Sequence, residues 1–163
     1  MALTDALLAE FEHEMKTTRR LLERVPAERG DWKPHDKSSS LSQLALHVAH
    51  IPFWMTMTLK RTELDAAAPA EKRTLTTTEA LLAEFDRKVA DACDALTAAT
   101  AEDLQVPWTL RAGDHVVFTM PRAATVRTFV MNHLIHHRGQ LSVYLRLLDV
   151  PLPSIYGPSA DEH

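Results

Sequence analysis

Apolar residues recur every three or four positions in four separate segments of the chain. This spacing lines one face of an α-helix. The first segment runs from about Thr4 to Val25 and ends at Pro26, and the fourth begins at Pro121 and ends before Pro151. Four amphipathic helices can bury their apolar faces against one another, so the sequence predicts an all-α four-helix bundle.

A capping box marks the start of the second helix. Ser40 is followed three residues later by Gln43, and in this pattern each side chain satisfies a free backbone N–H group. The helix is expected to continue to about Leu64. Pro52 lies inside it and should cause a kink or a break, because proline lacks an N–H and clashes with the preceding turn.

Different sequence signals indicate the third helix and the segment that follows it. Thr76 and Glu79 form a second capping-box pattern, and the apolar period continues to about Thr100. Residues 101–120 then place β-branched and aromatic side chains on both sides of Gly113. That composition favours either a small hairpin or an extended loop between helices 3 and 4. Neither would alter an all-α assignment.

The bulk properties of the chain narrow its class. Its 163 residues suit a single domain over 1–163, and a net charge of −4 gives no basic face for nucleic acid. No segment approaches the roughly 20 apolar residues of a membrane helix. Cys93 is the one cysteine, so there is no intramolecular disulfide, and its apolar helical setting suggests a core residue. We therefore expect a cytoplasmic protein without a membrane partner.

Three histidines stand on helix faces that should point inward. His133 and His137 are four residues apart on the apolar stripe of the fourth helix, so their rings can share one cation. Hydrogen-bonded core histidines are the alternative. His47 lies next to a stripe position of the second helix and can face the same interior. Three imidazoles without a cysteine leave a coordination position open, as in catalytic sites. His50 could support these residues or replace one of them as a ligand.

The sequence around these histidines resembles the DinB/YfiT-like superfamily of metalloenzymes. Two segments carry the resemblance, LALHVAHIPFW at 44–54 and NHLIHHRGQL at 132–141. Two shorter ones, WKPH at 32–35 and YGPSADE at 156–162, are also similar. The helix order and length match as well, so the resemblance covers nearly the whole chain.

The resemblance implies a metal and a class of reaction. In that superfamily three histidines bind a divalent ion, nickel or zinc, and the matching positions here are His47, His133 and His137. Some relatives are transferases or isomerases that use a low-molecular-weight thiol, and relatives often pair as homodimers. A metal-dependent enzyme acting on a small molecule is therefore expected, as a thiol S-transferase or a hydrolase. The alternatives are a non-catalytic metal-binding protein of the stress or DNA-damage response and a bundle whose histidines bind nothing.

Other polar residues near these segments have two readings each. Arg138 and Gln140 flank His137 and could lie behind the metal ligands, or could serve the helix surface and interhelical hydrogen bonds. Asp161 and Glu162 in the tail could reach the site as a general base or a hydrogen-bond acceptor, or could be solvated.

Overall fold

The computed structural model describes residues 3–69 and 73–162. A π-helical segment, Val126–Asn132, joins the last two helices, so the chain is helical without interruption from Arg122 to Leu147. No described helix is both long and apolar enough to span a membrane. The helices are α1 (Leu3–Leu22), α2 (Leu41–Lys60), α3 (Thr78–Ala98), α4 (Arg122–Thr125) and α5 (His133–Leu147), and the strands are β1 (Glu63–Asp65), β2 (Pro107–Ala112) and β3 (His115–Pro121).

The start of α2 confirms the predicted capping box. The Gln43 backbone N–H donates to Ser40 Oγ at 3.3 Å, and the Ser40 N–H donates to Gln43 Oε1 at 2.9 Å. Pro52 lies inside α2 and does not break it, so the predicted break is wrong. The helix ends at Lys60 rather than near Leu64, because the next residues turn into an extended strand.

The predicted cap of the third helix is wrong by one residue. Thr77, not Thr76, is the N-cap, and its side chain accepts a hydrogen bond from the Ala80 backbone N–H at 3.1 Å. Three consecutive threonines, Thr76 to Thr78, make this register difficult to choose from sequence. The sequence also indicates a linker over 65–75 before this helix, and its residues 70–72 lie outside the described part of the chain.

A three-stranded sheet overturns the all-α four-helix-bundle prediction. The segment 101–120 forms the β2–β3 hairpin, with Gly113 in the turn at a φ of +60°, where glycine is favoured. β1 pairs with β2 in parallel, which makes a mixed sheet in the order β1-β2-β3. The chain is therefore a mixed α/β protein in which a helical bundle carries a small sheet.

The first strand escaped prediction because its three residues are too few to show a period. Its pairing with β2 depends on contacts distant in sequence. Arg111 Nη1 donates to Asp65 Oδ2 at 2.7 Å, and Arg111 Nε donates to Glu63 Oε1 at 3.1 Å. The Gly113 N–H donates to Asp65 Oδ1 at 2.9 Å and is the main reason that the pKa of Asp65 is lowered.

Helix α2 lies at the centre of the hydrophobic core. α2 packs against α3, α5 and the π-helical segment, and Ile51, Phe85 and Leu134 are fully or almost fully buried. Burial of a side chain of this size stabilises the fold by roughly 1.5–3 kcal/mol. Trp108 of β2 is also fully buried, and its ring centroid lies 5.8 Å from that of Phe129. The sheet is thus anchored on the π-helical segment that precedes α5.

Candidate metal centre

His47 of α2 meets His133 and His137 of α5 in one cluster. One ring nitrogen of each lies within 4.8 Å of the others, and the Nε2 atoms of His47 and His133 are 3.2 Å apart. Among the described residues, this is the only group of three or more histidine, cysteine or acidic side chains close enough to share an ion. The structure therefore brings together the three histidines that the sequence singled out.

Aromatic rings pack around the cluster and restrict its motion. Trp54 has its ring centroid 5.1 Å from His133 and 5.5 Å from His47, and it stacks on Phe129 at 4.8 Å. The Phe129 carbonyl accepts a hydrogen bond from the His133 ring. Phe129 belongs to the π-helical segment, a type of helix distortion that is frequent at functional sites. Trp54 and the π-helical segment thus pack against the histidine rings of the cluster.

Gln140 determines which nitrogen of His137 faces the cluster. His137 Nδ1 and Gln140 Oε1 are 2.7 Å apart. An amide oxygen only accepts hydrogen bonds, so Nδ1 carries the proton. The Nε2 atom of His137 is then left with a lone pair. A hydrogen bond of this kind, from the far ring nitrogen, is typical of histidines that bind metals.

The cluster is arranged to be neutral near pH 7. Burial lowers the pKa of His47 to about 4, with further lowering by His137, His133 and Arg73. Burial is also the main cause of the lowered pKa of His133 and of His137. Neutral imidazole is the form that donates to a metal ion, so no proton has to leave before an ion can bind.

An open pocket of about 570 Å³ gives solvent access to the three histidines. Its wall is made by α2, α5 and the loop before α2, and none of the lining residues within 3–69 and 73–162 is acidic. A ligand in this pocket would therefore meet the imidazoles, hydroxyl groups and amides rather than carboxylates. Besides the histidines, the pocket is lined by Ser38, Ser39, Gln43, Leu44, Gln140 and Tyr144.

His50 faces away from the cluster, toward α3. Its Nδ1 lies 2.9 Å from Lys88 Nζ, and Lys88 also pairs with Glu84. Burial, followed by the charge of Lys88, lowers the pKa of His50 to about 3. The structure places His50 outside the three-histidine group.

Arg138 and Asp161 also lie elsewhere. The Arg138 side chain is 1% exposed and pairs with Glu14 of α1 at 2.6 Å, while donating to the Tyr156 hydroxyl at 2.6 Å. Asp161 accepts from Arg146 at 2.5 Å and ties down the tail. Neither lines the pocket. Arg138 thus forms interhelical contacts in the interior and does not lie at the helix surface. Glu162 pairs with Arg20 and Arg24.

Several pocket residues were not among the site candidates from the sequence, and Gln43 and Tyr144 are two of them. The sequence indicates Gln43 only as a capping residue, and Tyr144 falls on the apolar period of the fourth helix. The signal was present, since Gln43 is four residues before His47 and Tyr144 is seven after His137. Both spacings keep a side chain on the face of the histidine.

The fold and this cluster define a mixed α/β protein with three histidines close enough to share one metal ion. A family model described as DinB family matches residues 1–163. The chain belongs to the DinB family.

Known relatives agree with this assignment. The uncharacterized protein YrdA of Bacillus subtilis is 28% identical over 166 residues, which cover 97% of this chain and 90% of YrdA. A DinB-like protein of B. subtilis (YjoA) has a similar structure, with a TM-score of 0.71, 20% identity and coverage of 93% of this chain and 99% of that one. A DinB-like protein of Bacillus cereus also gives a TM-score of 0.71, with 19% identity and coverage of 93% and 97%. At these identities the structural likeness concerns the fold.

Proposed function

We propose that this protein is a metal-dependent enzyme in which His47, His133 and His137 bind one divalent ion. The observation that carries the proposal is the 3.2 Å separation of the His47 and His133 Nε2 atoms. Two nitrogens that each lie 2.0–2.1 Å from a shared tetrahedral zinc are separated by roughly 3.3–3.4 Å. The rings are therefore spaced as two ligands of one ion would be.

The chemistry of the donors supports the same proposal. All three imidazoles are disposed to be neutral, and Gln140 orients the ring of His137. Imidazole nitrogen suits both nickel and zinc, the two metals that we propose. A bound divalent ion would lower the pKa of a water or thiol bound to it, or polarise a carbonyl group. Three protein ligands facing an open pocket leave room for such a molecule.

We further propose thiol-dependent S-transfer, or failing that hydrolysis, as the reaction. The pocket is large enough for a small-molecule substrate together with part of a low-molecular-weight thiol. Its hydroxyl and amide groups can orient a polar ligand, and the ion bound by the histidines would contact the reacting end of that ligand. The proposal excludes nucleic acid as a partner, in keeping with the net charge of −4, and places the protein in the cytoplasm, in keeping with its one cysteine. It also includes a homodimer.

The test begins with protein purified without a metal-affinity tag. Elemental analysis should find about one divalent ion per chain after reconstitution with zinc or nickel. Single variants His47→Ala, His133→Ala and His137→Ala should each lose the ion. His115→Ala is the matched control, because His115 is exposed on the hairpin and lies outside the group.

A second step separates catalysis from metal binding alone. The loaded protein is incubated with a panel of electrophiles and small thiols, and consumption of both partners is followed by mass spectrometry. Consumption that disappears in His137→Ala and persists in His115→Ala supports the enzyme. A loaded wild type that consumes no electrophile and hydrolyses no substrate in the panel would leave a metal-binding protein without catalysis.

A further inference from the structure

Both glutamines of the pocket have their side-chain oxygens occupied by the protein. Gln43 Oε1 accepts the Ser40 backbone N–H at 2.9 Å in the capping box. Gln140 Oε1 accepts His137 Nδ1–H at 2.7 Å. Because each Oε1 already accepts one hydrogen bond from the protein, the NH₂ group, with both of its N–H bonds, is the main group that each glutamine can offer a ligand.

These NH₂ groups are available to the pocket. Within residues 3–69 and 73–162, neither of them donates to a protein acceptor, although both side chains line the pocket. The hydroxyl groups of Ser38 and Ser39 stand in the same wall. The wall is thus rich in hydrogen-bond donors, and the lining residues that the structure describes include no carboxylate.

From this arrangement we infer that the pocket recognises a ligand bearing an oxyanion, bound by the amide NH₂ groups of Gln43 and Gln140. An oxyanion offers only acceptors, so it complements a wall of hydrogen-bond donors. A carboxylate is the smallest such group, and a sulfonate has the same chemistry. The inference rests on the proposed metal site, since the reacting end of the ligand would lie at the three histidines.

The ion would itself attract anions, so a preference for charge is not sufficient evidence. Two conservative variants test the amides while keeping the internal hydrogen bonds. In Gln43→Glu the carboxylate can still accept the Ser40 N–H, because glutamate also forms a capping box. In Gln140→Glu it can still accept His137 Nδ1–H. Each variant keeps the internal hydrogen bond, removes the NH₂ donors and adds a negative charge. Gln105→Glu adds the same charge on an exposed turn outside the pocket lining.

The experiment uses cobalt-loaded wild type and the three variants, with metal content measured first. Four thiols are titrated by calorimetry and by visible absorption: 3-mercaptopropionate, 2-mercaptoethanesulfonate, 3-mercapto-1-propanol and cysteamine. Wild type and Gln105→Glu should bind the two anionic thiols at least about tenfold more tightly than the alcohol. Gln43→Glu and Gln140→Glu should reduce that preference by about tenfold, while their affinity for the alcohol stays nearly unchanged. Comparison of the carboxylate and sulfonate arms shows which oxyanion fits better.

Two results would overturn the inference while leaving the metal site intact. One is a wild type that holds cobalt and binds all four thiols alike. The other is an anion preference that persists undiminished in both Gln43→Glu and Gln140→Glu, since the ion alone would then explain it. A wild type that contains no cobalt would overturn the proposed function and this inference together, and elemental analysis reveals that case before any thiol is added.

Discussion

His137 and Gln140 lie one helical turn apart on α5, and the ring Nδ1 of the first donates to Oε1 of the second at 2.7 Å. This single hydrogen bond sets the tautomer of the histidine and leaves a lone pair on Nε2, the nitrogen that is free to bind an ion. Residues that orient a ligand in this way influence metal affinity although they do not touch the ion.

Removal of this hydrogen bond should weaken metal binding. We expect Gln140→Ala to lower zinc affinity by about 10–100-fold, because the His137 ring would lose its fixed tautomer and orientation. Gln140→Glu should keep the affinity of the wild type, since a carboxylate also accepts from Nδ1–H. Competition with a chelator of known affinity measures both. Equal affinities for wild type and Gln140→Ala would show that the contact has no orienting role.

Acidification should destabilise the metal-free protein through its buried histidines. The folded-state pKa values of His47 and His50 are lowered to about 4 and about 3, from 6.5. Below pH 6.5 the unfolded chain therefore binds protons that the folded protein does not, so the free energy of unfolding falls as pH falls through this window. The contribution of each histidine is complete above pH 6.5 and is lost toward its folded-state pKa.

Urea titrations at pH 7.5 and pH 5 measure this effect. We expect His50→Gln to be less sensitive to pH than wild type by on the order of 1 kcal/mol, a figure reduced for the partial exposure of the ring. His115→Gln, an exposed control, should show the pH dependence of the wild type. An unchanged dependence in His50→Gln would contradict the buried neutral state of His50.

The buried ion pair between Glu14 and Arg138 should be important for stability. The Arg138 side chain is 1% exposed, so Glu14→Gln would leave its charge without an anionic partner in the interior. We expect the free energy of unfolding to fall by roughly 3–5 kcal/mol. Glu10→Gln, which breaks the exposed pair with Arg127, should cost at most about 1 kcal/mol. Similar losses in the two variants, measured by chemical denaturation, would mean that Arg138 finds another partner.

Cys93 should take no part in the chemistry of the site. It packs against the core from α3 and is absent from the three-histidine group. Burial is the main cause of its raised pKa, followed by the Glu12 and Asp94 carboxylates, so its thiol stays protonated and unreactive. Cys93→Ala should retain the metal content and thiol turnover of wild type, with stability lower by roughly 1 kcal/mol. Loss of metal in this variant would assign a ligand role to the cysteine.

The sequence predicted the helices better than the sheet. Helical stripes and the Ser40 cap are local signals, so α1 and α2 could be located from spacing alone. β1 has no local signal, because Glu63 and Asp65 are held in a strand by Arg111, which comes from a distant part of the chain. The fold class was wrong for two reasons: β1 depends on tertiary contacts, and the hairpin at 101–120, although one of the expected alternatives, was not expected to change the class.

For the candidate site too, local signals could be read from the sequence and contacts between helices could not. The spacing of His133 and His137 placed both on one helix face. The position of His47 beside a stripe residue allowed it to face the same interior, and the family resemblance matched all three histidines. Sequence could not choose the partners of His50 and Arg138, because Lys88 and Glu14 belong to other helices and become neighbours only in the fold. Local periodicity carries no information about side-chain contacts between helices.

X-ray absorption at the metal edge tests the central claim most directly. Untagged protein loaded with one equivalent of zinc should show three imidazole nitrogens at about 2.0–2.1 Å, with the remaining position taken by a light atom from solvent. Addition of a small thiol should replace that atom with one sulfur at about 2.3 Å. A zinc environment without imidazole scattering, or one that contains protein sulfur before any thiol is added, would contradict a site built from His47, His133 and His137.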